Sequence, residues 1–316
     1  MKGTIAVITL LLLVSALTAS TYTISKILLD YSTPLFIVAV RMLGAGLAFL
    51  AYYRWKTGSF SISIRSKRDW SLLLQIAIIS FFLSFVGEIW ALQYLTSSKV
   101  ALLYNLSPFI AAVFSYFFFA EQMTIKKFAG LAIGFVGFLP ILIDQPVTGG
   151  VGFLDWPEIV MLGAVTCYTY GWIAMRTLAK KKIYDLALIN GISMTIGGLC
   201  SLVTAYWLEI APGSNPAWVS SVIPVTNIWV FLGLMAVMII GGNLISFSLY
   251  GLFLRKFTAT FVSCIDLTAP IFAALFGVVL LHEHLGWQFF LASIVIFIGI
   301  YIYYQEESRQ GYFEHE

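Results

Sequence analysis

Charged side chains are scarce in this sequence: only 10% of its 316 residues are Asp, Glu, Lys or Arg. A water-soluble domain carries about 25%, so no soluble domain is expected. Cysteine is rare as well. Cys167, Cys200 and Cys264 all fall inside apolar runs, without pairing or metal-ligand spacing, which excludes a disulfide framework. Histidine offers little more. His282-Glu283-His284 puts two imidazoles on different faces of a helix, with no third ligand evident, so no metal is expected. A net charge of +3 is too small to imply a nucleic-acid partner. There is no Walker motif, nucleophile elbow or metal-ligand cluster, hence no ATPase in this chain, no catalytic residue and no cofactor.

What the chain has in abundance is apolar length. Hydrophobic residues make up 60% of it, and the mean hydropathy is +0.93. A helix crossing a ~30 Å hydrocarbon core needs about 20 mostly apolar residues. Such runs fall at 4–28, 34–53, 70–95, 98–119, 126–144, 156–179, 185–209, 226–251, 256–281 and 285–304. Unbroken helix is expected in each, because lipid offers no partner to exposed backbone groups. The first run follows one Lys and lacks a small-residue cleavage pattern, so it reads as a span and not a removable signal.

The connections orient the spans. Fifteen of the eighteen basic residues fall at connections or termini that alternate to one side, among them Arg54, Lys56, Arg65, Lys67, Arg68, Lys126, Lys127, Arg176, Lys180 to Lys182, Arg255 and Lys256. The opposite connections carry Asp144, Asp155, Glu158, Glu209 and Glu283. By the positive-inside rule this predicts ten transmembrane helices with both termini cytoplasmic. Seven tryptophans near span ends form the interfacial belts, whereas Trp90 and Trp172 lie away from them.

The chain also repeats itself. Leu103-Tyr-Asn-Leu-Ser-Pro-Phe-Ile-Ala-Ala-Val-Phe runs to Glu121, and Ile265-Asp-Leu-Thr-Ala-Pro-Ile-Phe-Ala-Ala-Leu-Phe runs to Glu283; 270−108 and 283−121 both equal 162. Ser84/Ser246 and Phe135/Phe297 keep that offset. For the first helix of each half the offset is 150, pairing Tyr22 with Trp172 and Lys26 with Arg176. Five spans per repeat is odd, so the second copy must be inverted. This predicts an all-α integral membrane fold of two inverted five-helix repeats, 1–146 and 147–305, with a cytoplasmic tail at 306–316. Secondary transporters are built in this way, with the site near midplane between the repeats.

In these features the sequence resembles the EamA-type ten-helix permeases of the drug/metabolite transporter superfamily. The resemblance is carried by the segments Pro108 to Glu121 and Pro270 to Glu283, by Arg41 after Thr33-Pro34, and by the Gly130/Gly134/Gly137 series. It spans nearly the whole chain. It implies two EamA units, alternating access, and a cavity lined by helices 1, 3, 4, 6, 8 and 9. Pro108, Pro270, Glu121 and Glu283 become fold landmarks. The family includes amino-acid and metabolite exporters, and S-adenosylmethionine carriers of intracellular bacteria.

Ionisable groups deep in a span are candidate functional groups. Glu88, Asp266 and Arg41 qualify; Lys26 can snorkel to the interface. Pro270 frees the carbonyl of Asp266, as Pro108 frees that of Tyr104. The bland readings are that Asp266 pairs with Arg41 or stays protonated, and that Arg41 caps carbonyls. Tyr22, Trp90, Tyr104, Tyr168 and Trp172 are candidate cavity aromatics, with Asn105 and Asn243 as neutral hydrogen-bonding groups; on lipid-facing surfaces such aromatics would only pack. Aromatic walls with acids suit a zwitterionic or cationic solute better than an anion.

These features predict a secondary transporter of a small polar zwitterionic or cationic metabolite, of the amino-acid or metabolite exporter type, in a bacterial inner membrane. Its partners are the solute and membrane lipid, with a proton as candidate coupling ion through Asp266 or Glu88. The alternative is S-adenosylmethionine/S-adenosylhomocysteine exchange in an intracellular bacterium. A membrane-embedded enzyme and a passive channel are the readings from other classes.

Overall fold

The computed structural model of the chain describes residues 2–58, 64, 66–95, 97–143, 155–181, 183–210, 225–264, 268–269, 271–272, 275–276 and 287–311. Asp266, Pro270 and the His282-Glu283-His284 stretch lie outside them, as does the loop at 212–224. The described residues are nearly all helical. The helices are α1 (Lys2–Leu28), α2 (Pro34–Thr57), α3 (Lys67–Leu92), α4 (Ser97–Tyr104), α5 (Ser107–Phe119), α6 (Ile125–Ile143), α7 (Trp156–Ala179), α8 (Leu186–Ile210), α9 (Ile228–Arg255), α10 (Ala259–Cys264) and α11 (Trp287–Arg309). Helices α2, α3, α7, α8 and α9 are each long and apolar enough to cross a membrane.

Local chemistry sets the helix ends. Pro34 opens α2 after extended Thr33, and Gly58 closes it at φ 71°, a left-handed conformation that suits a residue without Cβ. Ser66 and Asp185 accept the backbone N–H of Arg68 and Ala187 to cap α3 and α8. Glu209, near the end of α8, accepts the N–H groups of Leu35 (2.9 Å) and Phe36 (3.2 Å), capping α2 from a neighbouring helix. The fourth expected span is broken: α4 stops at Tyr104, Asn105 and Leu106 form a turn, and α5 starts with Ser107-Pro108. Proline fits there because its missing N–H would be unpaired in a first turn anyway.

Among the described residues three helices contain π-helical stretches: α8 ends in one at Tyr206–Ile210, and α3 and α9 carry internal ones over Ile76–Ser84 and Met238–Ile245. The stretches of α3 and α9 start 162 residues apart (238−76), and such bulges concentrate at functional sites.

Small residues let backbones approach closely. α2 lies on α8, where a Cβ added to Gly198 would stand 2.7 Å from the nitrogen of Leu43. α6 lies on α11 through Gly130, Gly134 and Gly299. α3 is wedged between α7 and α8, with Gly171 against Ser80 and Gly197 against the Ala77 carbonyl. Large apolar side chains such as Leu47, Phe117, Ile125, Trp229 and Ile294 point outward, while Arg41, Glu88, Asn190 and Asn243 are buried. This arrangement, polar inside and apolar outside, is that of a membrane-embedded bundle.

At the end of the helices that carries most basic residues, a charge network ties the elements together. Arg176 of α7 pairs with Glu121, both buried. Lys127 of α6 faces Glu307 of α11 at 3.9 Å, and Glu307 also accepts from Thr258. Lys181 pairs with Asp69, which accepts from Tyr184 as well at 2.7 Å.

Candidate functional site

α1, α2, α3, α4, α7 and α9 converge on one interior cavity, lined by Thr18, Thr21, Tyr22, Arg41, Phe85, Glu88, Tyr104, Tyr168, Gly242, Phe247 and Tyr250. Its volume is about 20 Å³, room for roughly one water. Rings fill the remainder: Tyr22 stacks on Tyr104 at 5.4 Å, and Tyr104 meets Tyr168 edge-on at 5.2 Å. A wider depression, about 540 Å³, opens on the exposed face of α3 beside Trp70, Leu74 and Ile78. It is a shallow apolar surface without a buried polar group, so the chemistry lies in the small interior cavity.

The polar groups of that cavity are specific. Glu88 is 2% exposed and accepts a 2.6 Å hydrogen bond from the Tyr104 hydroxyl. Arg41 is buried and donates from Nε to Asn243 Oδ1 at 2.8 Å; its guanidinium lies 4.7 Å from the centre of the Phe85 ring. Among the described residues Arg41 Nη1 has no hydrogen-bond partner. A buried acid and a buried base therefore face the same small space.

Most residues singled out from the sequence meet here. Glu88, Arg41, Tyr22, Tyr104 and Tyr168 line the cavity. Trp172 stands behind the lining, at 5.2 Å from Tyr168 and 4.5 Å from Tyr250, with its buried Nε1 unpartnered. Asn243 reaches the site through Arg41, whose Nε–H it accepts. Asn105 lies in the α4–α5 turn, fully buried, with both amide atoms unpaired. Trp90 is elsewhere: it is half-buried and packs on Tyr94 at 4.9 Å, because its position on α3 is turned away from Glu88 by two residues. Asp266 is outside the described residues. Lys26 donates to the carbonyls of Leu92 and Leu95 at the end of α3. Among the described residues no group of acids, cysteines and histidines could hold a metal.

Phe85, Phe247 and Tyr250 were not among the candidates. The signal was present: 247−85 and 250−88 both equal 162, so Phe247 and Tyr250 are the repeat counterparts of Phe85 and Glu88. Phe85 and Phe247 stand 6.4 Å apart, centre to centre.

Comparisons with known proteins fit this geometry. The model of the EamA-like transporter family matches residues 5–143 and again 155–305. An S-adenosylmethionine/S-adenosylhomocysteine transporter of Chlamydia muridarum is 33% identical over 301 residues, covering 93% of this chain and 90% of that protein. A transporter of the same name from Chlamydia trachomatis serovar L2 is 32% identical, covering 93% and 88%. A protein of known crystal structure superposes with a TM-score of 0.71 over 98% of both chains, at 17% identity, which speaks to the fold alone.

Proposed function

The chain belongs to the EamA-like transporter family, matched twice along its length, and on that footing we propose that it exchanges S-adenosylmethionine for S-adenosylhomocysteine across a bacterial inner membrane. It is a membrane-embedded transporter of a small molecule and not an enzyme. The amino-acid exporter reading gives way to the adenosyl reading because relatives covering 93% of the chain carry that name. The observation that carries the proposal is Glu88, a buried acid enclosed by Tyr22, Tyr104, Tyr168, Phe85 and Phe247. An adenosyl sulfonium joins an aromatic base to a positive charge. Stacked rings accept the first and aromatic faces accept the second, while the desolvated carboxylate draws the cationic amine of the same solute. The unpartnered Trp172 Nε1 and the Asn105 amide offer donors to purine nitrogens.

The carrier has ten spans in two inverted repeats, 1–146 and 147–305, a tail at 306–316 and both termini cytoplasmic. Three observations support this reading. The family model matches each half; the π-helical stretches of α3 and α9 begin one repeat offset apart; and the close pairs α2–α8 and α6–α11 join the second and fifth helices of the two halves. Drug-sized ligands occupy sites of about 300–1,000 Å³, so the closed cavity opens by rocking of one half against the other, and the ligand's base replaces ring-on-ring contacts.

The test is counterflow in proteoliposomes. Labelled S-adenosylmethionine accumulates against unlabelled S-adenosylhomocysteine inside, and amino acids fail to replace it. Exchange sustained by amino acids alone would return the chain to the exporter reading. Equilibration of label without trans-stimulation would mark a pore.

A further inference from the structure

Arg41 is a cation with more donors than acceptors. A guanidinium offers five N–H groups in one plane. Nε is taken by Asn243 Oδ1 at 2.8 Å, and one face of the plane lies against Phe85 at 4.7 Å. Nη1 is buried without an acceptor. Beside Nη2 stands Gly242, where an added Cβ would lie 3.6 Å from that nitrogen and collide with the Thr21 side chain. The glycine lets α9 close on Thr21 at the cavity wall, beside the guanidinium. A buried cationic donor without an acceptor is costly, and a planar two-nitrogen edge matches a carboxylate or a phosphate. Glu88 lines the same cavity and would repel a doubly charged phosphate, while an ammonium on the same ligand would be drawn to it.

From this geometry we infer that Arg41 is the receptor for the α-carboxylate of an amino-acid head group, aimed by Asn243, with Glu88 facing the ammonium. Resting on the exchange reading above, this deepens it: both adenosyl solutes carry the same zwitterionic head. The head is read by Arg41 and Glu88, and the sulfur, charged or not, falls on the aromatic wall. The carrier therefore selects for a free carboxylate and tolerates either charge state at sulfur, which exchange of the two solutes requires. Asn243 is a positioning residue. Its Nδ2 rests 3.9 Å from the Met42 sulfur, and its Oδ1 sets which edge of Arg41 remains available.

The experiment is competition for labelled S-adenosylmethionine exchange in proteoliposomes. The competitors are unlabelled S-adenosylmethionine, its decarboxylated form and S-adenosylhomocysteine. With the natural chain, loss of the carboxylate raises the half-inhibiting concentration about ten-fold or more, the usual worth of a charge-assisted pair. In Arg41→Gln the two sulfonium compounds inhibit within about two-fold of each other. In Asn243→Leu the discrimination between the two sulfonium compounds shrinks, even as loss of the Nε acceptor lowers the melting temperature of the detergent-solubilised protein. If Arg41→Gln does not fold, Arg41→Lys takes its place and keeps part of the discrimination. Equal inhibition by both compounds in the natural chain overturns the inference, as does equal weakening of both in Arg41→Gln. Failure of the exchange reading looks different, since no adenosyl compound then competes. In that case amino acids are compared with their methyl esters by ligand-induced melting shift; a shift by acids alone that Arg41→Gln abolishes upholds the carboxylate receptor, and equal shifts refute it.

Discussion

At the scale of single residues, the cost of charge in a low-dielectric interior decides what each ionisable group can do. Among the described residues Glu88 accepts one hydrogen bond, from Tyr104, which leaves acceptor positions on its carboxylate for a ligand. Glu88→Gln is expected to weaken competition by S-adenosylmethionine about ten- to hundred-fold, and competition by uncharged 5′-methylthioadenosine far less. Equal losses for both would show that the charge of Glu88 is not what the solute meets. Glu307 makes a second prediction. It lies beyond the apolar stretch of α11, and burial pushes its carboxyl from the ordinary 4.5 up to about 7, with Lys127 and Thr258 only partly opposing the rise. The folded chain then binds this proton more tightly than the unfolded chain, so stability falls as pH rises between about 4.5 and 7, and levels off above. Glu307→Gln should flatten that part of the profile, read as melting temperature against pH. Depth in a span already marked Glu88 and Arg41 in the sequence. The Arg41–Asn243 bond, 202 residues apart in sequence, was not legible there, because it depends on how α2 and α9 are rotated against each other.

Between elements, backbone approach is the limiting quantity. A Cβ on Gly299 would stand 2.6 Å from the carbonyl oxygen of Gly130 and 2.8 Å from the Cα of Gly134. These are backbone atoms and cannot swing aside. Gly299→Leu is therefore expected to separate α6 from α11 and to remove most folded protein from detergent extracts, judged by size-exclusion profile. Gly163 is the control: nothing lies within 4 Å of an added Cβ, and Gly163→Ala should be neutral or slightly stabilising, by about 0.5–1 kcal/mol. The glycine series in the fifth expected span entered the sequence reading only through the family resemblance; that Gly130 and Gly134 pack on α11 came from the fold. The break at Asn105 and Leu106 was half legible: Pro108 announced a weakened helix, but not that a new helix would start at Ser107.

For the molecule as a whole, the cavity and the charge network occupy different levels of one bundle. Thr18 through Tyr250 close around about 20 Å³, and the Arg176–Glu121 and Lys127–Glu307 pairs bind α5, α6, α7 and α11 at the basic end. Breaking a buried pair leaves an uncompensated charge, at a cost of about 3–5 kcal/mol. Arg176→Met should lower the melting temperature accordingly, and adding Glu121→Gln should recover part of the loss. Full additivity of the two changes would mean that the pair does not act as a unit.

The sequence by itself determined the class of the protein and its helical, apolar character, because hydrocarbon demands runs of about 20 apolar residues with backbone groups paired inside the protein. It also exposed the internal offset of 162 residues and the few ionisable groups that a membrane would otherwise exclude. Tertiary structure alone decided which faces meet. A membrane helix is apolar toward lipid and toward protein alike, so its periodicity does not say which side turns inward. That is why Trp90 could be taken for a cavity residue while Phe85, Phe247 and Tyr250 passed unnoticed, and why the bond of Arg41 to Asn243 and its unpartnered Nη1 came to light only in the fold.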